Sequence, residues 1–146
     1  MIALVQRVRQ ARVEVAGEVI GAIDRGLLVF VCAELRDEES TAARLVAKLL
    51  KLRIFADDAG KLNRSVQDVA GGLLLVSQFT LAADTASGNR PGFSGAAPPP
   101  LGRALYEAVL RLAREAHPIV AAGEFGADMQ VHLVNDGPVT IPIHIE

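Results

Sequence analysis

The spacing of apolar residues changes several times along this chain, and each change marks a new element. Ile2 to Val8 and Ala11 to Val15 are rich in β-branched residues and predict two strands, and Gly17 predicts a hairpin into a third, Val19 to Ile23. Asp24-Arg25-Gly26 reads as a turn, and Leu27 to Cys32 as a buried strand. The period then shifts. Ala42, Leu45, Val46, Leu49 and Leu50 fall at i, i+3, i+4, i+7 and i+8, the apolar face of an amphipathic helix. Asp37, Glu38 and Glu39 stand near its start, where carboxylates complement the helix dipole. Phe55 to Gly60 predicts a loop or short strand with a turn, and after Gly71-Gly72 the run Leu73-Leu74-Leu75-Val76 predicts another buried strand. Asp84 to Pro100 has no period and is rich in Gly, Ala, Ser and Pro, and a loop of that length is usually functional or mobile. A second helix follows Pro98-Pro99-Pro100, with Leu101, Leu105, Ala108, Val109 and Leu112 on one face, and stops at His117-Pro118. Met129 to Val134 and Val139 to Ile145 predict two closing strands. The order of strands, helix, strand, helix and strands predicts one layered α/β or α+β domain over residues 1–146.

Composition narrows the class. At 146 residues and 51% hydrophobic, the chain can build a substantial single core. No apolar run reaches the roughly 18 residues of a membrane span, and Met1 to Arg7 has neither a basic leader nor a cleavage-like site. The single cysteine, Cys32, excludes an intrachain disulfide and fits a reducing compartment, so a cytoplasmic location is expected. A net charge of −2 argues against a protein that coats nucleic acid by electrostatics alone. It leaves room for an enzyme that grips only the end of an RNA. With no Trp and one Tyr, a base-stacking platform for single strands is also disfavoured.

Two segments carry candidate chemistry. Ser77-Gln78-Phe79-Thr80 ends the buried strand at Leu73–Val76 and sets polar groups at the rim of an apolar layer, where donors can be held against a reacting carbonyl or phosphate. Its plainer reading is an ordinary strand end. Asn135-Asp136-Gly137-Pro138-Val139-Thr140 interrupts the closing strands, and its plainer reading is a turn. His117, His132 and His144 are scattered, with no H-x-x-x-H or C-x-x-C spacing, so no metal site and no cofactor is expected. No G-x-S-x-G elbow frames a serine. Asp57-Asp58-Ala59-Gly60 lacks the spaced carboxylates of a calcium loop and reads as a turn. Arg44, Lys48 and Lys51 share a helix face, followed by Arg53, Lys61 and Arg64. This is either a solvated surface or a guide for an RNA stem. Cys32 reads as core.

Ser77 to Leu81 together with Asn135 to Thr140 resemble the motifs of the D-aminoacyl-tRNA deacylase family. The resemblance runs the length of the chain, through Met1 to Val8, Arg53-Ile54-Phe55-Ala56-Asp57, Gly60-Lys61, Asn63, Arg90-Pro91 and Phe93-Ser94. It implies a homodimeric three-layer β/β/α fold that hydrolyses the ester joining a D-amino acid, or glycine, to tRNA. It implies catalytic positions at Ser77, Gln78, Phe79 and Thr80, with the backbone at Ser77 and Phe79 stabilising the oxyanion. Thr80 is read as a pocket residue rather than a nucleophile, because no base is evident to activate it. A ribose hydroxyl of the tRNA would assist the attack instead. The resemblance further implies a cis Gly137-Pro138 bond that enters the partner subunit's pocket and admits only a hydrogen on the L-side-chain face of the substrate Cα. Arg7, a cation in an apolar strand, is expected to hydrogen-bond that loop. The alternatives are a catalytically silent RNA-end-binding or dimerisation module on the same fold, and an editing domain of altered chirality. Ala96 to Pro100 departs from the family pattern in its richness in Ala and Pro, which puts RNA contacts by this loop in doubt.

Overall fold

A computed structural model describes residues 1–146. Its centre is a six-stranded mixed sheet. β1 (Ile2–Val15) is one continuous strand where two were expected. It stays extended through Arg9 and Gln10 because β8 (Gln130–His144) pairs along nearly its whole length. The opposite edge of β1 is divided between two partners. β3 (Gly26–Cys32) covers Ile2 to Val8, and β2 (Glu18–Ile23) covers Ala11 to Val15. β6 (Gly72–Ser77) lies parallel to β3, and β7 (Val120–Ala122) lies parallel to β6. β7 was not foreseen, because three residues are too few to show a period. β4 (Phe55–Ala56) and β5 (Leu62–Arg64) form a separate small hairpin around the Asp57–Gly60 turn.

β3 and β6 are buried on both faces, which is why each reads as an unbroken apolar run. Leu27, Val29, Leu73 and Leu75 face α1 (Glu39–Lys51) and α2 (Pro99–Ala116), in a core that includes Leu45, Leu49 and Val109. Leu28, Leu74 and Val76 point the other way, into a second core with Val8, Ala11, Val13 and Ile23, where the sheet curls over itself. The two cores stand back to back across β3 and β6. The close spacing at the start of this pair needs glycine, because a Cβ on Gly26 would sit 2.0 Å from the Gly72 carbonyl oxygen.

The helices begin and end as their sequences require. Thr41 Oγ1 accepts a hydrogen bond from Glu38 N–H at 3.1 Å and closes the start of α1. α2 begins at Pro99, one residue inside the proline run, because the first helical turn tolerates a missing N–H. His117 ends it, buried, with Nε2 2.7 Å from the Gly71 carbonyl oxygen. No helix is long and apolar enough to cross a membrane.

Candidate active site

β3 and β6 end side by side, and the polar tail of β6 turns there. Gln78 N–H donates to the Val31 carbonyl at 2.7 Å, extending the ladder by one step. The chain then tightens into a 3-10 turn, Phe79–Ala82. Leu81 N–H bonds back to the Gln78 carbonyl at 3.3 Å. The N–H groups of Phe79 and Thr80 precede that bond, at the end of a turn where donors lack an intrahelical acceptor. Ser77 and Gln78 are half-buried, while Phe79 and Thr80 are exposed. Gln78 Nε2 donates to Thr80 Oγ1 at 2.5 Å, which ties the threonine hydroxyl to an amide rather than to a base. Phe79 packs edge-on against Phe93, with ring centres 5.0 Å apart.

These residues border a cavity of about 660 Å³, within the size range of small-ligand sites. Ser77, Gln78 and Phe79 form one wall, Tyr106 and Phe125 another, and Met129 a third. The Ala- and Pro-rich segment contributes as well. Ala97 N–H donates to the Ala33 carbonyl at 2.9 Å, drawing Ala96 to Pro99 onto the cavity rim. Tyr106 is buried and its hydroxyl donates to the Leu75 carbonyl at 2.8 Å, two residues before Ser77. Burial pushes its pKa up to about 12, so it is a neutral donor at ordinary pH. Cys32 also borders the cavity. Burial, and then the Glu34 carboxylate, push its thiol up, and Sγ donates at 3.5 Å to the Phe79 carbonyl. It is a packed thiol, not a thiolate.

The histidines do not converge on this cavity. His132 lies beside Glu14 and Arg12 on the β1–β8 surface, His144 Nε2 is 2.7 Å from Glu34 Oε2, and His117 is the helix stop. No group of three or more His, Cys, Asp or Glu side chains is arranged to hold a metal ion. Asp57 caps its own turn, accepting from Ala59 N–H, Lys61 N–H and the Asn63 amide. Several cations of the basic face are engaged locally. Arg44 bonds the Glu146 carbonyl, Arg53 bonds Asn63, and Arg64 pairs with Asp58.

Gly137 and Pro138 lie elsewhere. The two closing strands are in fact one strand, β8, carrying a bulge. Gln6 pairs with Thr140 and Val8 with Asn135, so Arg7 alone stands opposite Asp136, Gly137, Pro138 and Val139. The Gly137-Pro138 peptide is cis, and both residues are exposed. A Cβ on Gly137 would fall 2.5 Å from Val139 N, so the bend itself demands glycine. Arg7 lies beneath, with its side chain 14% exposed. Its Nε donates to the Asp136 carbonyl at 2.8 Å and its Nη1 to the Ile54 carbonyl at 2.7 Å. Asn135 closes the bulge from the other side, and nothing in its sequence position singled it out from a turn residue. Its Oδ1 accepts Val139 N–H at 2.8 Å.

The strand register fixes the distance between the two motifs. Arg7 pairs with Leu27 at the start of β3, whereas Ser77 pairs with Val31 at its end. Four residues of strand separate them, about 13 Å along the axis. Ser77 on β6 and Gly137 on β8 are also separated by the intervening strands β3 and β1. Within one protomer the two motifs are therefore apart.

Residues 4–144 match the family model described as D-Tyr-tRNA(Tyr) deacylase. A D-aminoacyl-tRNA deacylase of Variovorax paradoxus (strain S110) is 66% identical, with 99% of both chains covered. That of Aromatoleum aromaticum (strain DSM 19018 / LMG 30748 / EbN1) is 68% identical over 99% of this chain and 95% of its own. Among solved structures, one titled c-Myc DNA Unwinding Element Binding Protein superposes with a TM-score of 0.95 at 42% identity, covering 100% of this chain and 99% of that one. A probable eukaryotic D-amino acid tRNA deacylase superposes with a TM-score of 0.85 over 97% of each chain. At 18% identity it shows the same fold.

Proposed function

Because the chain belongs to the D-Tyr-tRNA(Tyr) deacylase family and is a hydrolase of D-aminoacyl-tRNA, we propose that its active site is assembled from two copies. In this reading the cavity beside Ser77–Thr80 of one protomer is closed by Gly137-Pro138 of its partner. The observation that carries it is the separation along β3 and across the sheet. The cavity holds the polar groups suited to ester hydrolysis, while the exposed loop with the close backbone bend lies too far away to serve the same cavity in cis. A symmetric dimer resolves this, each loop entering the other's cavity. The back-to-back cores support a three-layer β/β/α arrangement for each subunit.

The chemistry follows from the groups at the cavity. Water attacks the ester carbonyl, negative charge develops on its oxygen, and backbone N–H groups about the Ser77–Phe79 bend stabilise that oxygen. Such donors are worth a few kcal/mol each when preorganised. The C–O bond to the terminal ribose then breaks, and the ribose oxygen takes a proton as the amino acid leaves. Gln78 and Thr80 shape the site. Thr80 Oγ1 accepts from Gln78 Nε2, and no histidine borders the cavity to deprotonate it, so the adjacent ribose hydroxyl of the tRNA assists the attack. The aromatic walls at Phe79, Tyr106 and Phe125 suit the terminal base.

Chirality is set by exclusion. With Gly137-Pro138 backbone against the substrate Cα, a hydrogen fits on that face and an L side chain does not. The D side chain points outward, so several D-amino acids are accepted, and glycine passes because it has no side chain to exclude. Arg7 holds the loop in place. The test is deacylation of matched D- and L-aminoacyl-tRNA and of glycyl-tRNA, with the oligomeric state measured at assay concentration. Hydrolysis of D- and glycyl-tRNA by a dimer that spares the L form is expected. Equal rates on D and L forms, or full chiral selectivity in a monomer, would overturn the reading. An RNA-end-binding protein without turnover is excluded by the same assay.

A further inference from the structure

The bulge that presents Gly137-Pro138 is held at two independent points, and only one of them is Arg7. Arg7 grips the leading limb of the loop through the Asp136 carbonyl. The returning limb is held by Asn135. Its Oδ1 accepts Val139 N–H at 2.8 Å, and its Nδ2 donates to Thr140 Oγ1 at 3.0 Å and to the Val139 carbonyl at 3.3 Å. Gln6 Nε2 reaches the same Thr140 Oγ1 at 3.3 Å from the facing strand. Asn135 thus bonds across the bulge to the residues that re-enter the strand. The ladder itself offers nothing there, since β1 supplies only Arg7 between the Val8–Asn135 and Gln6–Thr140 pairs.

We infer that Asn135, with Thr140 and Gln6, is a positioning unit that fixes how far Gly137-Pro138 projects and so sets chiral selectivity without touching substrate. This rests on the reading of that loop as the selector. The tolerance of such a selector is narrow. Selection by exclusion depends on a gap that admits a hydrogen and rejects a methyl, so a shift of about 1 Å in the loop is enough to lose it. A bulge has unpaired backbone and drifts unless side chains replace the missing ladder bonds. An amide that accepts from one residue and donates to the next does so from a single side chain.

Two substitutions separate the functions of that amide. Asn135→Ala removes every bond, whereas Asn135→Asp keeps an acceptor for Val139 N–H and loses the donor. The readouts are the ratio of D- to L-aminoacyl-tRNA deacylation, kcat and KM for the D substrate taken separately, and amide hydrogen exchange at Val139. Asn135→Ala is expected to lower the D-over-L ratio at least tenfold, mainly by raising the L rate, with faster exchange at Val139. Asn135→Asp is expected to restore most of the ratio and the protection. A folded Asn135→Ala dimer whose ratio stays within twofold of the unsubstituted protein would overturn the inference. So would an Asn135→Asp protein as unselective as Asn135→Ala. Should Asn135→Ala not fold, Thr140→Val, which removes one acceptor of the network, is read in the same way, with a loss of about threefold or more in favour and an unchanged ratio against. An unsubstituted protein that fails to distinguish D from L overturns the selector reading itself, and that result is seen before any variant is made.

Discussion

Replacing Arg7 by alanine is the sharpest perturbation of the proposed selector. The guanidinium makes two bonds in diverging directions, at 2.8 Å to the Asp136 carbonyl and at 2.7 Å to the Ile54 carbonyl. Hydrogen bonds from a charged donor are worth about 1.5–3 kcal/mol each. Their loss is not uniform. Asp136 is only half-buried and its carbonyl regains water, whereas Ile54 is 5% exposed and leaves an acceptor stranded. Only the Asp136 bond touches the loop, so with solvent replacing part of it about 1.5 kcal/mol of the loop's anchoring is lost, and the stranded Ile54 carbonyl lowers overall stability separately. If loop position governs selection, about 1.5 kcal/mol corresponds to roughly a tenfold fall in the D-over-L ratio. Arg9 is the internal control, because it stands 3.8 Å from Asp136 Oδ1 but is 76% exposed. An exposed pair of that kind contributes about 0–1 kcal/mol, so Arg9→Ala is expected to keep the ratio within about fivefold. Arg7→Lys is expected to behave like Arg7→Ala, since one ammonium cannot serve two diverging carbonyls. The assay is single-turnover deacylation of matched D- and L-aminoacyl-tRNA, with a urea melt on each variant. Arg7→Ala that melts earlier yet keeps its chiral ratio would refute the link between this anchor and selection.

Two further outcomes follow from the cavity. Thr80→Ala is expected to retain appreciable turnover, while tRNA ending in 2′-deoxyadenosine reacts poorly. A folded but inactive Thr80→Ala protein, together with normal rates of the unsubstituted protein on the deoxy substrate, would reinstate Thr80 as nucleophile. Tyr106, the one tyrosine of the chain, is expected to resist ionisation. Its folded pKa is about 12 against an ordinary 10.0, so the stability held by the neutral ring is intact below pH 10 and drains away as pH rises toward 12. Ultraviolet absorbance should show tyrosinate near pH 10.5 only in the unfolded chain. Ionisation near pH 10 in the folded protein would mean that the ring is not buried against Leu75.

Much of this architecture is legible in the sequence because burial leaves a one-dimensional trace. The unbroken apolar runs at Leu27–Cys32 and Leu73–Val76 are what a doubly buried strand looks like, and α1 shows its face by period. The polar tail at Ser77–Thr80 stands out because it ends such a run. Pairing leaves no comparable trace. β1 reads as two strands because its partner, β8, lies more than a hundred residues away, and β8 reads as two because its bulge resembles a turn. β7 is three residues long and becomes a strand only because β6 offers an open edge. The cavity walls at Tyr106, Phe93 and Phe125 come from loops and from α2, whose residues meet only after folding. Asn135 looks like any turn asparagine until the register shows what it spans.

The division of β1 between early and late partners has a consequence for how the protein is made. β2 and β3 follow β1 closely in the chain and dock on one edge, but the other edge waits for β8. From Val15 to Gln130 is 115 residues, which at about 5–20 residues per second is roughly 6–23 seconds of synthesis. Throughout that interval a long strand carrying Ala3, Val5, Val8, Ala11 and Val13 has one side of its backbone unpaired, the state in which strands recruit the wrong neighbours. The loop proposed to close a partner's cavity rides on the strand that ends this exposure. The loop therefore reaches its folded position only when β8 pairs along the first strand on both sides of it.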